Sequence, residues 1–189
     1  EEDILKLGGV GHTDIYNAVI DTTKSRFSWL LVNLLTAVIA SIVIGFFEAS
    51  IEKVVALAIL MPIVASMGGI AGMQSLALVI RSQATNQIGE SNSRLLIIKE
   101  SLIGVLNGIL WSSIVAVAVY LWFDSVFLGT VIASALMINL IIGAISGVSL
   151  PLILKKMEID PALAGGVILT TITDIVGFIS LLGVATIIM

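Results

Sequence analysis

The chain has 189 residues, 58% of them hydrophobic and 12% charged, with a formal net charge of -4 and a mean hydropathy of +1.16. A soluble domain of this size needs more polar surface than that, so the composition excludes a water-soluble globule and implies an integral, all-α membrane protein. Cysteine is absent, which excludes disulfides and thiolate metal sites, and the bases are dispersed through connections instead of massed into a nucleic-acid surface.

In chain order, residues 1–27 come first. The chain opens on Glu1 with no charged-then-apolar leader, and we expect it to be part of a longer polypeptide. Ile4, Leu5, Leu7, Ile15, Ala18 and Val19 recur at helical intervals among polar residues, with breaks at Gly8, Gly9 and Gly11. That pattern predicts a cytoplasmic amphipathic connecting segment. His12, the only histidine, has no second His or Cys beside it and reads as a solvated loop residue.

Residues 28–189 form the predicted membrane domain. Because a hydrocarbon core of ~30 Å takes about 20 apolar residues per helix, hydropathy divides this region into five spans. They run from Trp29 to Phe47, Val54 to Ile80, Ile98 to Phe123, Val126 to Leu154 and Ala162 to Met189. Lys6, Lys24, Arg26, Arg81, Arg94, Lys99, Lys155 and Lys156 fall on one side, and Lys53, with Glu48, Glu52 and Asp124, on the other. The positive-inside rule then puts the N-terminus in the cytoplasm and Met189 outside, in the plasma (inner) membrane. Trp29, Trp122 and Phe123 fit interfacial belts.

Polar and small residues inside the spans carry the functional signal. In the second span Pro62 is followed by Ser66-Met67-Gly68-Gly69-Ile70-Ala71-Gly72-Met73-Gln74. Proline frees the carbonyl of residue 58, and glycines strip side-chain bulk, so backbone oxygens there can face a cavity; a small-residue helix crossing explains the same cluster equally well. In the third span, Ser101, Gly104, Gly108 and Ser112 form a packing face, and Glu100 sits at the helix start, where an acid favours the helix dipole or lines a pore mouth. Asn33, Asn107 and Asn139 suit interhelical hydrogen bonds. In the fifth span, Gly166, Thr170, Asp174, Gly177 and Leu181 share one helical face, with Thr173 at its border. Helix packing accounts for the Gly and Thr positions. It does not account for Asp174, the one charge between Ala162 and Met189; an acid at that depth costs at least ~2.5 kcal/mol and faces water, a partner or an ion. No acid pair, nucleophile with its base, phosphate loop or His/Cys cluster is present to support an enzyme.

Taken together these residues resemble the MgtE-type magnesium channels and transporters over nearly the whole chain. The resemblance is carried by Leu60-Met61-Pro62 through Gly68–Gln74, by Leu78-Val79-Ile80-Arg81 with Ala84-Thr85, by Lys99-Glu100, and by Asp160-Pro161-Ala162-Leu163 leading to Thr171-Ile172-Thr173-Asp174-Ile175-Val176-Gly177. It implies a homodimer in the lipid bilayer, with a Mg²⁺ path on the two-fold axis lined by the second and fifth spans. Two copies of Asp174 would face the ion, with the carbonyls of Gly69 and Gly72 and the Thr170 position; Glu100, Gly166 and Thr173 are secondary candidates. Passive conduction of hydrated Mg²⁺ into the cytoplasm is the expectation, and a proton- or sodium-coupled Mg²⁺ transporter of the same fold is the alternative. A non-transporting membrane scaffold comes third. An upstream acidic helical domain and a pair of CBS modules would sense cytosolic Mg²⁺. The chain departs from the family pattern at Ile70, Met73 and Gly166, where well-known members carry asparagines. More of the contact would then pass to backbone and threonine, which leaves Mn²⁺, Co²⁺ or Ca²⁺ in the same site open.

Overall fold

A computed structural model describes residues 18–85 and 90–189, and every regular element among them is a helix. The elements are α1 (Val19–Gly45), α2 (Glu48–Lys53), α3 (Ala56–Ala84), α4 (Glu90–Phe123), α5 (Val126–Lys156) and α6 (Pro161–Ile188). Five of them are long and apolar enough to cross a membrane, in agreement with the five predicted spans. Residues 48–53, expected as a plain connection, instead form the short α2, and Ser50 Oγ shares a hydrogen bond of 2.8 Å with Thr186 Oγ1 of α6. The amphipathic segment expected at residues 1–27 lies outside the described residues up to 17, His12 included; α1 already begins at Val19.

Local chemistry fixes the helix ends that set register. Ser125 Oγ caps α5 by accepting from the Leu128 N–H, and Asp160 Oδ1 caps α6 by accepting from the Ala162 N–H at 2.9 Å, with Pro161 at the first helical turn. Between them α5 ends in two crossed backbone bonds, from the Ile159 N–H to the Leu154 carbonyl and from the Glu158 N–H to the Lys155 carbonyl. Glu158 takes a left-handed φ of 59° to close that motif, a position that glycine fills at lower cost.

α5 is the centre of the bundle and packs against α3, α4 and α6, while α3 also packs against α6 and α1 docks along α6. Apolar side chains gather in two clusters. Leu57, Leu60, Val64, Val131, Leu136 and Leu181 belong to the larger one, near the α1–α2 end; Leu76, Ile80, Ala162 and Leu169 form the smaller, near the α5–α6 turn. Glycines carry the crossing between α3 and α5. A Cβ on Gly143 would stand 2.6 Å from the Gly68 carbonyl oxygen, and one on Gly147 would collide with the carbonyl oxygen of Gly72. This is the close backbone approach that small residues permit between membrane helices. Asn139 of α5, fully buried, donates from Nδ2 to the Val64 carbonyl at 2.8 Å, so its role as an interhelical hydrogen-bonding residue is realised. Its side chain fills the space that Gly68 and Gly177 leave open.

Candidate functional site

Between the two apolar clusters, α3 and α6 diverge enough to leave a groove of about 590 Å³. Ser66, Gly69, Met73 and Ala77 follow one another on α3 at intervals of three or four residues and form one wall, with Ala65, Ile70 and Gln74 beside them. Thr170 and Asp174, one turn apart, form the other. Asp174 lies ~20 Å from either end of α6 by helical rise, and is half-buried. Among the described residues no hydrogen bond or ion pair engages its carboxylate. An acid so placed has its oxygens free for something that enters the groove.

The sequence-derived candidates separate into three places. Asp174, Thr170 and Gly69 come together on the groove. The Thr170 hydroxyl donates at 3.1 Å to the carbonyls of Gly166 and Val167, an arrangement that leaves the hydroxyl oxygen's lone pairs for an incoming ligand. Thr173 is fully buried behind this wall, its Oγ1 bonded to the Leu169 and Thr170 carbonyls and within 3.7 Å of where a Gly69 Cβ would stand. Gly166 is beside the Met73 sulfur, and the small residue leaves that thioether room at the groove's border.

Gly72 and Glu100 are elsewhere. Gly72 is buried in the α3–α5 crossing with its carbonyl oxygen against Gly147, and a Cβ on it would stand 2.9 Å from Leu169 Cδ1. In this chain its carbonyl oxygen is turned toward Gly147 of α5, and Gly72 is not among the residues that line the groove with Gly69. Glu100 is buried on the far side of α3, where Ser75 Oγ donates to its Oε2 at 2.8 Å. Sequence reasoning did not single out Ser66, Gln74 or Ala77 as wall residues, although Ser66 stands three residues before Gly69, Gln74 four after Ile70 and Ala77 four after Met73.

A family model described as MgtE, divalent cation transporter, matches residues 61–184, which contain the whole groove. The chain belongs to the MgtE family. It is similar to the magnesium transporter MgtE of Bacillus subtilis (38% identical over 161 residues, 85% of this chain and 36% of the relative). It is also similar to that of Thermus thermophilus (32% over 187 residues, 97% of this chain and 41% of the relative) and to that of Enterococcus faecalis (26% over 187 residues, 99% and 41%). The chain thus spans about two-fifths of the length of these relatives. Membership in a transporter family agrees with the lack of enzymatic constellations noted in the sequence.

Proposed function

We propose that this chain forms a Mg²⁺ channel in which the groove is one half of the ion path. The observation that carries the reading is Asp174, an uncompensated carboxylate at mid-membrane depth on the wall of an open groove. One chain offers this groove a single acid, and no group of three or more His, Cys, Asp or Glu occurs among the described residues. A second copy related by a two-fold axis would close the groove and bring a second Asp174, matching the charge of a divalent ion. Mg²⁺ sheds its octahedral water shell reluctantly, so a wide path with two carboxylates and the Thr170 and Gly69 oxygens would hold the ion through its waters and release it again.

In this reading the homodimer lies in the plasma membrane with the N-terminus cytoplasmic, and cytosolic CBS modules of the same polypeptide gate the path. Ile70 and Met73 bring no amide oxygens to the groove and Gln74 is the one amide side chain lining it, so charge and hydration are the chief basis of selection. The test is Mg²⁺ uptake into proteoliposomes with membrane potential and proton gradient varied independently. Uptake that follows potential and the Mg²⁺ gradient supports the channel. Uptake driven by a proton or sodium gradient without a Mg²⁺ gradient would replace it with a coupled carrier.

A further inference from the structure

Glu100 is a second buried acid of the bundle, and the groove makes no use of it. It is only 6% exposed. Its surroundings follow from the packing: α3 and α4 each pack closely on α5 and meet one another only sparsely, the Ser75–Glu100 hydrogen bond among those contacts. The cleft left between them has a volume of about 270 Å³ and presents Gln74, Ser75, Glu100 and Asn107 above a floor that includes Leu140 and Ala144.

Charge sets the requirement. Ser75 supplies one hydrogen bond to Oε2, while Lys99 and Arg81 are exposed, and no ion pair with Glu100 forms among the described residues. A carboxylate withdrawn from water with one neutral donor stays largely uncompensated, so a cation entering the cleft would be favoured there. Ligand chemistry sets the kind of charge. The carboxylate, the Ser75 hydroxyl oxygen and the amide groups of Gln74 and Asn107 offer hard oxygen donors, which suit an alkali or alkaline-earth cation and not a soft metal. One formal negative charge balances one positive charge, whereas a divalent ion would leave a net charge in an apolar cleft. At ~30 Å³ per water molecule, the cleft has room for a small cation with several waters.

We propose that the cleft at Glu100 is a monovalent-cation site, with sodium its occupant, distinct from the Asp174 groove. Gln74 lines both cavities, so the two are one side chain apart, and a cation held between Ser75 and Glu100 ties the groove-bearing helix α3 to α4. The site does not depend on the groove's being a Mg²⁺ path, and its test reads no transport.

The full-length protein in lipid nanodiscs would be treated with dicyclohexylcarbodiimide, which modifies protonated carboxyl groups in apolar surroundings, in choline, sodium or potassium chloride of equal ionic strength. Modification of Glu100 is read by peptide mass spectrometry. The site predicts labelling in choline that falls at least about fivefold in saturating sodium, by mass action, less in potassium, and by the same factor in an Asp174→Asn variant. Equal labelling in choline and sodium would mean that Glu100 merely holds a proton, and no labelling in any salt would mean that the carboxyl never exchanges its occupant; either overturns the proposal. Protection by potassium equal to that by sodium would overturn the choice of ion, and protection lost in Asp174→Asn would assign the sodium effect to the groove.

Discussion

Two faces of one glycine-rich turn of α3 differ in what their small residues do. Gly68 and Gly72 face α5 and are filled: the Asn139 amide occupies the space beside Gly68, and the Gly72 carbonyl lies against Gly147. Gly69, one residue along, faces the groove, and a Cβ there would make only an ordinary contact of 3.7 Å with Thr173 Oγ1. On the first face glycine is needed because two backbones meet. On the second it leaves space beside Asp174, and nothing in the packing demands it. The distinction separates residues that hold the bundle together from residues that shape the candidate ion path.

Substitutions on the two faces should therefore fail in different ways. The largest effect is expected from Asp174→Asn, which keeps side-chain size and removes the charge: Mg²⁺ uptake should fall at least about tenfold, equivalent to ~1.4 kcal/mol, with the thermal denaturation midpoint held or raised because a half-buried charge is removed. Gly147→Ala should do the reverse. Its methyl would collide with the Gly72 carbonyl oxygen and stand 2.9 Å from Ser75 Cβ, so backbone must move, and stability in detergent should drop by about 1–3 kcal/mol. If Gly147→Ala were as stable as the parent, the crossing would be looser than described.

A glycine introduced for backbone reasons sharpens the contrast further. Glu158→Gly relieves the left-handed φ at the end of α5 and should raise stability by about 1 kcal/mol without altering uptake, since Glu158 is far from the groove in the α5–α6 turn. The smallest stability change is expected from Gly69→Ala, within about 0.5 kcal/mol in detergent. Its uptake should nonetheless fall, because the added methyl stands on the groove wall; unchanged uptake would remove Gly69 from the path.

The five spans were legible in the sequence because hydropathy over ~20 residues is a long-range sum that no single contact can reverse. Asp174 was legible for the same reason, as a charge where none is tolerated without use. The glycine run was legible only as an ambiguity. Helical spacing puts Gly72 four residues from Gly68 and three from Gly69, so either pair can share a face, and it cannot say which face meets α5. That depended on Asn139, Gly143 and Gly147, some seventy residues on, which turn the Gly72 carbonyl toward α5. Glu100 read as a helix-start acid because hydropathy opens the span near Ile98, whereas α4 begins at Glu90 and the residue is enclosed by Ser75 of α3 and by Leu140 and Ala144 of α5, which its own neighbours do not encode. α2 was missed because six residues are too few for periodicity to show, and Ser50's tie to Thr186 is long-range.

In the proposed channel Asp174 binds a divalent cation in a site shared by two copies of the chain. Mn²⁺, a paramagnetic stand-in for Mg²⁺ with the same octahedral oxygen preference, allows the sites in the membrane domain to be counted by electron paramagnetic resonance. A site shared in this way takes one Mn²⁺ per two chains, displaced by excess Mg²⁺ and lost in Asp174→Asn. One Mn²⁺ per chain, or binding that survives Asp174→Asn, would contradict it.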